Sequence, residues 1–126
     1  MSESQARLLF QISAIFNGIA CLILFAPFGI AGQLGVRPIP AGGPFELIAV
    51  SAIALFGLAY FWVSKNPYGN LQLVKLGLIG KIAVVAIVYY SAFVGTASLE
   101  FAALASGDIV FSGLFIWFLV DAKKRV

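Results

Sequence analysis

Four strongly polar residues interrupt the apolar runs of this chain: Asn17, Glu46, Lys81 and Asp108. An ionisable group in a membrane-spanning helix costs roughly 2.5–3.5 kcal/mol on insertion scales, so each needs a partner or a water-filled pocket. An acid and a base at one depth can neutralise each other, handle a proton, or hold the polar head of a ligand. At 1.5 Å per residue, Lys81 lies about 15 Å along its run from Leu71, Asp108 about 18 Å up from Val120, and Asn17 about 14 Å up from Leu8. These three fall in one layer. Glu46, about 27 Å up from Ser64, lies near the opposite surface.

Helical spacing adds companions to the layer. Asn17 shares a stripe with Ser13 and Cys21, Asp108 shares one with Ser112, and Gly77 stands one turn from Lys81, where a small residue admits a neighbouring helix. Tyr60, at the inner end of its run, is a supporting residue, although tyrosines at such positions more often belong to the interfacial belt. Two readings follow. In the plainer one, Lys81 and Asp108 form an ion pair that sets helix register, with Asn17 hydrogen-bonded to them. In the sharper one, the same groups line a pocket and handle a proton or a ligand's head. Desolvation can cancel the Coulomb gain of a buried pair, so the pair by itself is a weak stabiliser.

The elements that must position these residues are legible in the composition. Of 126 residues 62% are apolar and 10% charged, with a mean hydropathy of +1.05. A soluble domain carries about a quarter charged residues. The apolar residues fall in four runs, at about 8–26, 45–63, 71–93 and 99–120, each near the 20 residues a helix needs to cross a bilayer. The expectation is a single all-α domain over 1–126: a polytopic membrane protein with four transmembrane helices in an up-down bundle. Residues 27–44 hold five glycines and four prolines and read as a loop. Its apolar members Phe28, Ile30, Leu34, Val36 and Ile39 lie against the bilayer surface or cap the bundle mouth, the former being the plainer reading. Arg7 before an apolar stretch, with Ile19-Ala20-Cys21, approaches a lipoprotein leader, but Gly18 departs from that pattern, so the first helix is read as uncleaved.

Arg7, Lys65, Lys75, Lys123, Lys124 and Arg125 fall on one side of this arrangement and only Arg37 on the other. The positive-inside rule then puts both termini in the cytoplasm and the protein in the cytoplasmic membrane. Trp62 and Trp117 land near that same boundary. The net charge of +3 is a topology signal and not a nucleic-acid footprint.

With no histidine and one cysteine, the chain offers no metal or haem site, and no cofactor is expected. Ser-His-Asp sets and phosphate loops are absent as well. A faint parallel relates the halves, since Asn17 to Glu46 is 29 residues and Lys81 to Asp108 is 27. Phe16-Asn17, Pro27, Leu34-Gly35, Pro40, Glu46, Phe56-Gly57-Leu58-Ala59-Tyr60, Asn66-Pro67, Leu78-Ile79-Gly80-Lys81 and Gly107-Asp108 resemble the small four-helix bacterial membrane proteins of the DoxX-like kind. Gly107 departs from that pattern, which has an amide before the aspartate. The resemblance implies a four-helix membrane fold and a redox-membrane setting, without naming a reaction.

Three functions remain open from the sequence. The leading one is binding of a lipophilic small molecule, such as a quinone, isoprenoid or lipid, or service as accessory subunit of a membrane complex, through Asn17, Lys81 and Asp108 with Glu46 near the mouth. The second is a dimeric proton- or ion-coupled transporter with Asp108 or Glu46 as the protonating carboxylate. In the third, a membrane enzyme uses those carboxylates as acid and base on a lipid-soluble substrate. The partners expected are the lipid bilayer, a lipophilic ligand and a homodimer or larger complex.

Overall fold

The computed structural model describes residues 1–25 and 43–125. Among these, the regular structure is helical throughout, with no strand: α1 (Glu3–Leu24), α2 (Pro44–Lys65), α3 (Leu71–Phe93), α4 (Leu99–Ala105) and α5 (Gly107–Lys124). α1, α2, α3 and the α4–α5 stretch are each long and apolar enough to cross a membrane. The expected surface or cap role of the 27–44 loop, and Arg37 within it, lie outside the described residues up to position 42.

Helix ends depart from the apolar runs wherever polar groups can satisfy the terminal backbone. α1 starts at Glu3 rather than Leu8 because Ser2 and Gln5 form a capping box: Gln5 N–H donates to Ser2 Oγ at 3.1 Å and Ser2 N–H to Gln5 Oε1 at 2.7 Å. Arg7 bridges back to Glu3 at 2.7 Å, one turn away. α2 opens on Pro44 at its first turn, after Gly43 at φ +86°, a conformation that favours glycine. α5 runs four residues past Val120, carried by an Asp121–Arg125 pair at 3.2 Å.

The larger departure is in the fourth span. Instead of one continuous helix there is a break at Ser106, where Ser106 Oγ turns back to the Ala102 carbonyl at 2.8 Å and shares a 2.6 Å hydrogen bond with the Tyr89 hydroxyl. Ser-Gly pairs are common sites of such interruptions. Gly107 follows because α1 passes close by: a Cβ there would stand 2.7 Å from Phe16 Cζ.

α1 packs chiefly along α2, and α3 along α4 and α5. At one end the chain is close-packed around aromatic rings. Phe10 meets Phe115 and Phe118 at centroid distances of 5.0 and 5.2 Å, Tyr60 meets Phe115 at 5.3 Å, and Tyr68 meets Phe118 at 5.1 Å. Tilted and edge-on pairs of this kind add to the burial they provide. At that end the Tyr68 hydroxyl and the Arg125 guanidinium donate to the Met1 carbonyl, while the Met1 ammonium lies 3.3 Å from Asp121. Outward faces carry large apolar side chains such as Ile15, Leu55, Ile79 and Val110, as a lipid-facing surface requires.

Toward the other end the packing loosens. α2 buries no residue between Pro44 and Phe56, and the residues lining the space there include the small Ala20, Ala49, Ala52, Gly80 and Ala105. Small side chains on four helical segments leave space there.

Candidate functional site

That space is a cavity of about 380 Å³ bounded by α1, α2, α3 and α4–α5. It lies within the range of about 300–1,000 Å³ usual for small-molecule sites. Its walls are apolar almost throughout, from Leu24, Ala49, Ala52, Phe56, Val84, Ile87, Val88, Phe101 and Leu104. Asn17, Tyr60, Lys81 and Asp108 are its polar lining residues, and Lys81 and Asp108 the charged ones.

Asn17 on α1, Lys81 on α3 and Asp108 on α5, level by residue count, meet in three dimensions. Lys81 Nζ donates to Asp108 Oδ1 at 2.6 Å and to Asn17 Oδ1 at 3.4 Å. Their side chains are nearly inaccessible, at 4% for Lys81 and 14% for Asp108. Asp108 stands in the first turn of α5, where the partial positive charge of a helix N-terminus suits a carboxylate. The break at Ser106 therefore does more than shorten a helix: it puts a helix start at the depth of the ion pair.

Asn17 is held from the opposite side. Its Nδ2 donates to the Ile53 carbonyl at 3.0 Å, and one turn on, Cys21 Sγ donates to the Val50 carbonyl at 3.5 Å. The Ser13–Asn17–Cys21 stripe thus faces α2. This approach depends on Gly57, since a Cβ there would lie 3.2 Å from Asn17 Cβ. Ser13 itself is buried but spends its hydroxyl on the Leu9 carbonyl of its own helix at 2.9 Å, so it packs the interface and does not face the cavity.

Four aromatic rings surround the ammonium. Tyr60 and Phe111 lie 5.0 Å from Lys81 Nζ, Phe16 5.5 Å and Phe115 5.9 Å. Ring faces attract a cation, most strongly where water is excluded. Of these only Tyr60 stands among the site residues expected from the sequence, Phe16 having entered only through the resemblance. A signal for the others was present: Phe111 and Phe115 follow Asp108 by three and seven residues, one helical face, and Phe16 adjoins Asn17.

Gly77 lets Tyr60 take its place. The Tyr60 hydroxyl donates to the Gly77 carbonyl at 3.4 Å, and a Cβ at Gly77 would stand 2.5 Å from Tyr60 Cε1. Gly77→Ala is expected to displace that ring and cost about 1–3 kcal/mol in unfolding experiments in mixed micelles. Ser112 is buried and its hydroxyl has no hydrogen-bond partner among the described residues. Ser112→Ala is accordingly expected to leave stability within about 1 kcal/mol of wild type or to raise it, because no bond is lost and a desolvated hydroxyl is removed.

Glu46 does not join the layer. It stands in the first turn of α2, one turn beyond Ala49 and about 10 Å along the axis from Ile53. The Tyr89 hydroxyl ties α3 to the break in the fourth span.

No protein family, curated protein or solved structure matches this chain. No cluster of three or more His, Cys, Asp or Glu able to hold a metal occurs among the described residues. What the arrangement offers is a half-open apolar cleft that contains a neutralised ion pair, both of whose members line its wall.

Proposed function

We propose that this chain is a multi-pass protein of the cytoplasmic membrane, an up-down four-helix bundle with both termini cytoplasmic, that binds a lipophilic small molecule between its helices. The observation that carries the reading is the cavity of about 380 Å³ whose apolar walls converge on Lys81, Asp108 and Asn17. A ligand with an apolar body and a polar head meets matching surfaces at both of its ends. Glu46, one turn beyond Ala49, sits near the mouth. The clustering of Arg7, Lys65, Lys75 and Lys123 to Arg125 supports the orientation, as do the contacts that bring Met1, Tyr68 and Arg125 to one end. The DoxX-like resemblance fits the same membrane setting and extends the role to that of an accessory subunit in a larger complex.

Organic extraction of the purified protein, compared with the solubilised membrane it came from, tests the proposal. One lipophilic species enriched close to one per chain is expected. An extract of bulk membrane composition contradicts it.

A second reading, proton- or ion-coupled transport by a dimer, draws support from the interruption of the fourth span at Ser106, level with the ion pair. Discontinuous helices at mid-membrane are a common feature of transporter sites. Reconstituted protein whose substrate flux vanishes in Asp108→Asn would favour it, and a strict monomer would count against it.

A further inference from the structure

We infer that the ligand's head group is an uncharged hydroxyl, seated between Lys81 and Asp108, with its chain running away from the aromatic core toward Leu24 and Phe101. This rests on the reading of the cavity as a lipophile site and adds the chemical class of its occupant.

Lys81 and Asp108 neutralise each other at 2.6 Å, and no other Asp, Glu, Lys or Arg is among the described residues of the cavity wall. A carboxylate or phosphate head would leave two anions sharing one ammonium, and an amine head two cations sharing one carboxylate. In surroundings of low polarity an unpaired charge carries a heavy desolvation penalty. An uncharged head leaves the pair intact.

A lysine ammonium has three N–H donors. Two go to Asp108 Oδ1 and Asn17 Oδ1, and the third finds no acceptor among the described residues. Asp108 Oδ2 likewise accepts no bond from them, and among the described residues Ser112 alone leaves a fully enclosed side-chain polar atom without a partner. One donor and one acceptor are thus left on adjacent groups that both line the cavity. A hydroxyl can accept from Lys81 and donate to Asp108 at once. A ketone or ester can only accept, and a hydrocarbon does neither.

The aromatic core around Phe10, Phe115 and Phe118 closes the side toward Met1, while Ala20, Leu24, Val88 and Phe101 carry the apolar wall the other way. From Lys81 to Val88 is about 10 Å along α3, a length a medium alkyl chain spans.

The test uses lipid-depleted wild-type protein in maltoside micelles at neutral pH, titrated with decanol, decanoate, decylamine, 2-decanone and decane by calorimetry. Decanol is expected to bind at least about tenfold more tightly than any of the other four, a preference that disappears in the Lys81→Met/Asp108→Leu double variant. Decanoate or decylamine binding as tightly as decanol overturns the inference, as does 2-decanone matching it. Equal binding of all five overturns the head-group assignment and leaves the lipophile site standing. Binding of none overturns that underlying reading as well.

Discussion

Asp108→Ala is expected to destabilise the protein by about 3–5 kcal/mol, because it leaves the Lys81 ammonium buried without its counter-ion. Lys81→Met alone is expected to cost a similar amount by stranding the carboxylate. The double replacement Lys81→Met/Asp108→Leu behaves differently. It exchanges a desolvated pair for apolar side chains of similar size, and such exchanges are often neutral or stabilising. Unfolding of the three variants in mixed micelles completes a double-mutant cycle. The expected result is a coupling of several kcal/mol, with the double variant within about 1 kcal/mol of wild type. Additive losses in the double variant would mean that the two side chains hold the fold through separate contacts. The four rings around Lys81 Nζ do not alter the expectation, since they supplement a carboxylate and cannot neutralise a charge.

Ala20→Phe is expected to abolish ligand binding while leaving the ion pair in place. Ala20 lies on α1 three residues past Asn17 and lines the cavity, so a phenyl ring there occupies the space next to the polar layer. Affinity is expected to fall at least about a hundredfold, equivalent to about 2.7 kcal/mol. The unliganded protein should keep or gain stability, because the ring recovers dispersion contacts that the void forfeits. Calorimetric titration with decanol, beside an unfolding curve, reads both effects. A variant that binds as tightly as wild type would place the ligand elsewhere.

The depth of Asn17, Lys81 and Asp108 was readable from residue counts, because a helix rises by a fixed amount per residue and each apolar run has a recognisable start. That arithmetic needs only the run and not its rotation. Rotation was harder. Ser13 and Asn17 share a stripe, yet it faces α2, and Ser13 closes on its own helix. Helices that are apolar all round carry little pattern to say which face is inward. The aromatic cage was missed for this reason, as Phe16, Phe111 and Phe115 looked like any other lipid-facing phenylalanine until Lys81 was placed among them. Glu46 matched the layer in residue type but not in height, and its own count already put it a dozen ångströms away. The break at Ser106 was concealed by continuous hydropathy across 99–120. Its trace was the Ser106-Gly107 pair, whose glycine leaves room for the Phe16 ring. The start of α1 was missed by reading only apolar residues, though Ser2 and Gln5 already had capping-box spacing.

Native mass spectrometry of wild type beside the Lys81→Met/Asp108→Leu variant, both from mild detergent, tests most directly whether the ion pair serves a ligand. Stability is expected to be matched between the two, so a difference in bound mass reports on the site. Wild type should carry one discrete additional mass that the variant lacks. Two bare proteins, or two carrying the same mass, would contradict a ligand held at Lys81 and Asp108 and leave the pair as a purely structural feature of the bundle.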